Sequence, residues 1–580
     1  MEFTEKDKLG RVLWNKEASE ILKKHLPQIF DLTLYPVFGS YIKHISLEQI
    51  KASHPEILIT PELIQIIQHE LANVSVEKEE EVIPSNNYED ESVEVGSAKV
   101  YSPYSVRKWN VIELEFEGPS HGNPFLDVAL SVEFSSESKT VEVLGFYDGE
   151  GIYRARFMPD KEGNWTYKTK SSARSLDGIS GKFVCTAPLE GNRGPVRVNN
   201  TFHFSYTDGT PYIPVGTTCY AWVHQDEHLI NETLDTLKAS PFNKMRMCVF
   251  PKAYKFNTNE PNYFPFEALK EGWDFTKFNP VFFQHLEQRI LELGKLGIEA
   301  DIILFHPYDR WGFANMNKAQ DDRYLRYIVA RLSAYRNVWW SLANEYDVML
   351  SKDSDDWERF AKVVTENDPY NHLISIHNCL QFYDYLRPWI THCSVQRIDA
   401  YKTAENTDEW RKQWNKPIVI DECAYEGDID QVWGNITGEE MTRRFWEGAV
   451  RGGYVGHGET YINSEEVLWW SKGGKLYGSS PERIAFLRRI MEDGPKNGLN
   501  RLDVSWDYPA AGILDEYYLF YYGFNQPRFR EFQMKPGIQF KVEVIDTWNM
   551  TIEELEGNFE GKFQIELPGR QYMAVRMSKI

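Results

Sequence analysis

Two glutamates close apolar runs in this sequence, Glu345 in WWSLANEYD and Glu422 in PIVIDECAYEG. Paired carboxyl groups are what cleavage of a glycosidic bond requires: one acid protonates the leaving oxygen, and a second carboxylate attacks the anomeric carbon. A lone Glu after an apolar run is more often a surface or helix-capping residue, so the weight rests on the pair and its company. Other polar side chains end or follow apolar runs in the same manner. They are Arg246 in KMRMCVF, His306 after GIEADIILF, Asn344 before Glu345, His377 and Asn378 in HLISIHN, Gln396 in HCSVQRI, Asp421 before Glu422, and His457 and Glu459 around GGYVGHG. Glu426, four residues beyond Glu422, is the rival nucleophile.

Eight apolar runs must carry these residues: 212–218, 244–250, 297–305, 338–343, 372–378, 392–398, 416–422 and 452–458. They alternate with longer helical patterns, the signature of a parallel sheet with crossover helices, and eight such units fit a closed (β/α)8 barrel. Catalytic groups of such barrels gather at the C-terminal ends of the strands, which places the residues above on one rim. The barrel, an α/β fold, is expected over 191–495. It is flanked by antiparallel β-sandwich domains over 95–190, with runs such as VIELEFEG and TVEVLGFYDG, and over 496–580, with DEYYLFYYG and QFKVEVIDTW. Residues 1–76 read as helical, from the spacing of Ala18, Ile21 and Leu22, of Leu63, Ile66, Ile67 and Leu71, and from the start signal Thr60-Pro61. The acidic stretch 77–94, EKEEEVIPSNNYEDESVE, reads as a solvated linker. Aromatic strands in FYDGEGIYRARFMPDKEGNWTYKTKS serve a core more often than a sugar-binding face.

The chain of 580 residues has a net charge of −22, which repels phosphate backbones and anionic lipid, so neither nucleic acid nor a membrane is expected as partner. Six cysteines without CxxC spacing read as buried free thiols. Without an apolar leader or an 18-residue uncharged apolar stretch, the expected location is cytoplasmic. No phosphate loop, dinucleotide fingerprint or Ser nucleophile elbow is evident, and no cofactor or metal is expected. The segment HQDEH matches an H-x-x-E-H zinc pattern through His224, Glu227 and His228; it lies in the first strand-to-helix loop, where contact with substrate is the alternative reading.

The Asn344-Glu345 pair at the fourth strand and Glu422 at the seventh resemble the arrangement of the clan A glycoside hydrolases, over roughly half the chain. That resemblance implies Glu345 as acid/base, Glu422 as nucleophile, Asn344 on the sugar 2-hydroxyl, and Arg246 holding the nucleophile ionised, although Arg246 also reads as a structural ion-pair partner. His306 resembles the strand-three His of family five, and Trp469 or Trp470 its strand-eight stacking platform. The layout, with its GTTCYAW strand, is also similar to apiosidase-like hydrolases, which implies that Trp222, Glu422, Tyr425 and Glu426 line the pocket. Gln396 departs from the Tyr or His usual at the sixth strand, leaving Tyr401 or Tyr425 as substitutes. The expectation is a retaining glycoside hydrolase of oligosaccharides or glycosides. The alternatives are a non-catalytic carbohydrate-binding barrel and a zinc-dependent hydrolase using HQDEH, and the N-terminal helical segment is a candidate contact for a homo-oligomer.

Overall fold

The computed structural model describes residues 8–32, 45–53, 59–74 and 88–580. Eight parallel strands form the central sheet: β1 Gly216–Thr218, β2 Lys244–Cys248, β3 Glu299–Phe305, β4 Val338–Ala343, β5 Ile374–Ser375, β6 Cys393–Gln396, β7 Ile418–Glu422 and β8 Tyr454–His457. Each pairs with its sequence neighbour, β8 pairs back onto β1, and a parallel bridge between His377 and Ser394 closes the ring between β5 and β6. The strands are buried on both faces, as in β4, where all six residues are buried; covering helices outside and packed side chains inside require near-continuous apolar runs. Those runs are what made the strands legible.

The outer helices are α1 Glu227–Ala239, α2 Pro280–Lys295, α3 Lys318–Leu332, α4 Ser354–Asn367, α5 Thr407–Trp414, α6 Gly438–Ala449 and α7 Ser480–Glu492. Residues 376–392, between β5 and β6, form loop and turns in place of a helix. Asp226 caps α1, and capping boxes on Asn317 and Asp353 begin α3 and α4, satisfying amides that have no partner within the helix.

On the N-terminal side lies a β-sandwich whose strands, Ile112–Glu117, Leu130–Ser135, Thr140–Tyr147, Ile152–Phe157, Gly163–Ser171 and Ser180–Thr186, pair antiparallel. Its aromatic strands fill cores: Tyr147, Tyr153 and Trp165 pack inside the sandwich, and Phe146 packs into the barrel's core. Between the two layers Arg331 bonds Asp148 at 2.7 Å and Glu287 at 2.5 Å, while Arg156 reaches Glu287 at 2.7 Å. The C-terminal strands form a six-stranded sheet, four of them Ala510–Ile513, Tyr517–Tyr521, Phe540–Asp546 and Met573–Lys579. Tyr521 of that sheet stacks on Trp446 of α6, with ring centroids 5.4 Å apart.

The N-terminal helices, among them Lys16–His25 and Pro61–Leu71, share a small core of Leu22, Leu26, Ile67 and Leu71, and the Thr60 side chain caps the second. Ile66, expected in the apolar stripe, faces solvent at 48% exposure. Of the expected linker, 77–87 lies outside the described residues; Tyr88 stacks on His121, and Glu89 accepts from the Ser175 amide at 2.7 Å, so this end lies on the sandwich. Among the described residues no helix is long and apolar enough to cross a membrane.

Candidate active site

Glu422 ends β7 and Glu345 follows β4, both buried at the C-terminal mouth, at 7% and 6% exposure. Glu345 has a left-handed backbone, φ 53° and ψ 54°, a costly conformation for a non-glycine residue and one that concentrates at functional sites. A register shift in β6 between Ser394 and Gln396 sets Gln396 opposite Glu422; bulges re-aim side chains in this way. With its nitrogen toward the carboxylates, the orientation that avoids facing oxygen to oxygen, Gln396 donates to Glu422 Oε2 and to Glu345 Oε1, each at 3.2 Å.

Two phenols complete the setting. Tyr220, just beyond β1, donates to Glu422 Oε1, and Tyr308, just beyond β3, donates to Glu345 Oε2. Burial, then the neighbouring Glu422 charge, pushes the Glu345 carboxyl up to about 7. Below the pair lies a closed ionic group: Lys244 Nζ is 2.5 Å from Asp301 and 2.7 Å from Asp421, and Arg246 Nη1 is 3.0 Å from Asp421. Burial opposes the Asp421 charge, but Lys244 and Arg246 hold its carboxyl well below the usual range.

Arg246 therefore bonds Asp421, Ser394 at 2.9 Å and Asn344 Oδ1 at 3.0 Å, not Glu422 itself, on which it acts through its charge. Asn344 is left with a buried Nδ2 that has no partner among the described residues. His377 lies 4.0 Å from Glu422 with both ring nitrogens unpartnered, and burial followed by the Arg246 charge drives it well below the usual histidine range, so it is neutral. Tyr425 and Trp470 pack together with Tyr220 and Tyr254 beside the carboxylates.

Other expected residues lie elsewhere. His306 is buried with both nitrogens engaged, Nε2 with the Phe250 carbonyl and Nδ1 with the Tyr308 amide, so it holds the loop that carries Tyr308. Trp222 is fully buried against α1 outside the barrel, its indole turned to the Ile230 carbonyl. Trp469 is also a core residue and donates to Thr217 at 2.8 Å, leaving Trp470 as the tryptophan beside the carboxylates. Tyr401 is 94% exposed and does not reach Glu422; Tyr220 takes the place foreseen for it or Tyr425.

Glu426 is fully buried behind the barrel wall and accepts from the amides of Ser479 at 2.7 Å and Ser480 at 3.1 Å, where α7 begins. With His457 and Glu459 it forms a group whose donor atoms lie within 4.8 Å of one another. Glu459 accepts from the amides of Tyr477 and Gly478. Glu426 thus faces N–H groups at a helix N-terminus, whose partial positive charge suits an anion, while Glu459 takes amides of the loop before that helix and burial raises its carboxyl to about 8. In HQDEH, His224 turns inward toward the Cys248 carbonyl at 3.3 Å, Gln225 is extended, and Glu227 and His228 are exposed at the start of α1; the three share no face.

Tyr220, Tyr308 and Lys252, whose ammonium lies among these rings, went unrecognised in the sequence. Tyr220 stands in the GTTCYAW stretch and Tyr308 two residues past His306, so both follow strand ends that were read for other residues.

The apiosidase-like catalytic domain model matches residues 198–495, and two domains of unknown function, DUF5060 and DUF5605, match 105–172 and 506–578. A protein from Bacteroides vulgatus, proposed to be a glycoside hydrolase and solved by crystallography, is 40% identical, with a TM-score of 0.79 over 82% of this chain and 100% of its own. A family 5 glycoside hydrolase from the same organism is 14% identical with a TM-score of 0.54, over 67% of this chain and 94% of that one, a likeness of fold. No curated protein matches. By its barrel, and by the relative it matches over that relative's full length, the chain belongs to the apiosidase-like family of glycoside hydrolases.

Proposed function

We propose that the chain is a retaining glycoside hydrolase working by double displacement, with Glu422 as nucleophile and Glu345 as acid/base. The observation that carries this reading is the Gln396 side chain: one atom 3.2 Å from an oxygen of each carboxylate brings those two oxygens within about 6.4 Å of each other, a spacing that suits the close pair of a retaining enzyme. The surroundings agree with the roles. Glu345, pushed up to about 7, keeps its proton in a large share of molecules at neutral pH, as an acid must, and Glu422 receives hydrogen bonds from Tyr220 and Gln396.

In the first step a Glu422 oxygen bonds the anomeric carbon as the Glu345 proton passes to the departing oxygen. In the second, Glu345 takes a proton from water, whose oxygen displaces Glu422. The unpartnered Asn344 Nδ2 donates to the sugar 2-hydroxyl, a bond that strengthens as the oxocarbenium-like transition state forms. Trp470 and Tyr425 supply aromatic faces for the ring. The catalytic unit is 191–495, the β domains are accessory, and the substrates are glycosides or oligosaccharides trimmed from their ends in the cytoplasm.

The test is a screen of aryl glycosides with the wild type and Glu422→Gly, with azide added to the variant. Rescue that yields a glycosyl azide of inverted configuration supports the assignment. Wild-type activity in Glu422→Gly without azide refutes it.

A further inference from the structure

Lys252 follows β2 and is 2% exposed. Its Nζ lies 3.8 Å from the Tyr220 ring centroid, 4.4 Å from that of Tyr308, 4.8 Å from that of Tyr254 and 5.7 Å from that of Trp470. Four ring faces favour a cation there, yet among the described residues the ammonium makes no hydrogen bond or ion pair. Tyr220 and Tyr308 are the phenols that hold Glu422 and Glu345, so the ammonium stands between the supports of the two carboxylates.

The charges around it are otherwise matched. Lys244 and Arg246 face Asp301 and Asp421 as two cations and two anions. His306 and His377 are neutral, since burial pushes the first down to about 3 and the second well below its range. Burial raises the Cys248 thiol to about 12 and the Tyr220, Tyr254 and Tyr308 phenols well above their range. Asp347 accepts three amides of 379–381. Besides Asp347, whose charge those amides hold, the remaining charges are Lys252 and the single negative charge of the Glu345–Glu422 pair.

That negative charge moves during the proposed reaction. Glu422 carries it at rest; once its oxygen has bonded the anomeric carbon and the Glu345 proton has left with the departing oxygen, Glu345 carries it. Attack by water, whose proton returns to Glu345, sends it back to Glu422. We propose that Lys252 is the fixed counter-charge for both states, a positioning residue that stabilises whichever carboxylate is ionised. This rests on the two-carboxylate reading above. The low exposure gives the arrangement its strength, because water screens such a charge little.

The test is the pH profile of kcat/KM for Lys252→Met and Lys252→Arg on an aryl glycoside that the wild type cleaves, with circular dichroism to establish folding. Without the cation both carboxylates hold their protons more tightly, so in folded Lys252→Met both limbs of the bell move up by about one pH unit, and kcat/KM on the acid limb falls about tenfold. Lys252→Arg keeps the limbs near their wild-type positions, even at a lower rate. Folded Lys252→Met with unmoved limbs overturns the proposal, as does Lys252→Arg with limbs displaced upward by that same unit. Azide rescue of Glu422→Gly on the same substrate separates the two readings: rescue with unmoved limbs sinks the counter-charge alone, while failed rescue sinks the carboxylate assignment beneath it.

Discussion

Replacing Gln396 with Leu keeps the volume and removes the only group that bridges Glu345 and Glu422 among the described residues. A hydrogen bond to a charged group contributes about 1.5–3 kcal/mol, so losing the donor to Glu422 removes about that much from the interactions that hold the nucleophile. With each 1.36 kcal/mol a factor of ten, kcat/KM on the acid limb falls roughly 10- to 150-fold. The plateau changes less. Glu345 loses the other hydrogen bond, so its carboxyl, already at about 7, moves higher and carries the upper limb with it. The assay is kcat/KM from about pH 4 to about pH 9 on one aryl glycoside, with both limbs fitted. If Gln396→Leu matches the wild-type profile within about threefold at every pH, the amide does not bridge the pair and the separation argument built on it fails.

Glu345 also couples stability to pH. Its folded-state pKa is raised, so its contribution is present below about pH 4.5 and lost as pH climbs through about 7; Glu345→Gln is therefore expected to gain about 1–3 kcal/mol over wild type at pH 8 and nothing at pH 4.5, measured by denaturant unfolding. Arg331→Leu takes one of two arginine partners from both Asp148 and Glu287 in the joint between sandwich and barrel, leaving Arg154 and Arg156, at a cost of about 1.5–3 kcal/mol in the same unfolding assay. Glu426→Gln turns an amide toward the Ser479 and Ser480 N–H groups; stability drops by about 1–2 kcal/mol while kcat/KM stays within about twofold of wild type, whereas a nucleophile would lose nearly all activity.

The barrel was legible because parallel strands buried on both faces write themselves as apolar runs, and all eight stood in the expected order. The two glutamates proposed as catalytic were legible because each closes such a run. What lay hidden depends on the direction in which loop residues turn. Trp222 and Glu426 lie close in sequence to pocket residues yet face the packed outside of the barrel, against α1 and α7, and spacing does not distinguish the two faces. The β6 bulge that aims Gln396 leaves no mark on HCSVQRI, so the departure from Tyr or His looked like a gap, when Tyr220 from β1, beyond β8, fills it. The HQDEH motif needs one helix, and an extended Gln225 breaks it before α1 begins.

The most direct measurement of the central claim follows the hydrolysis of an accepted aryl glycoside by proton NMR and reads the anomeric configuration of the sugar as it is first released, before mutarotation. Double displacement through Glu422 and Glu345 predicts the configuration of the substrate. Release of the opposite anomer contradicts the account, since it requires single displacement by water in place of attack by Glu422 itself.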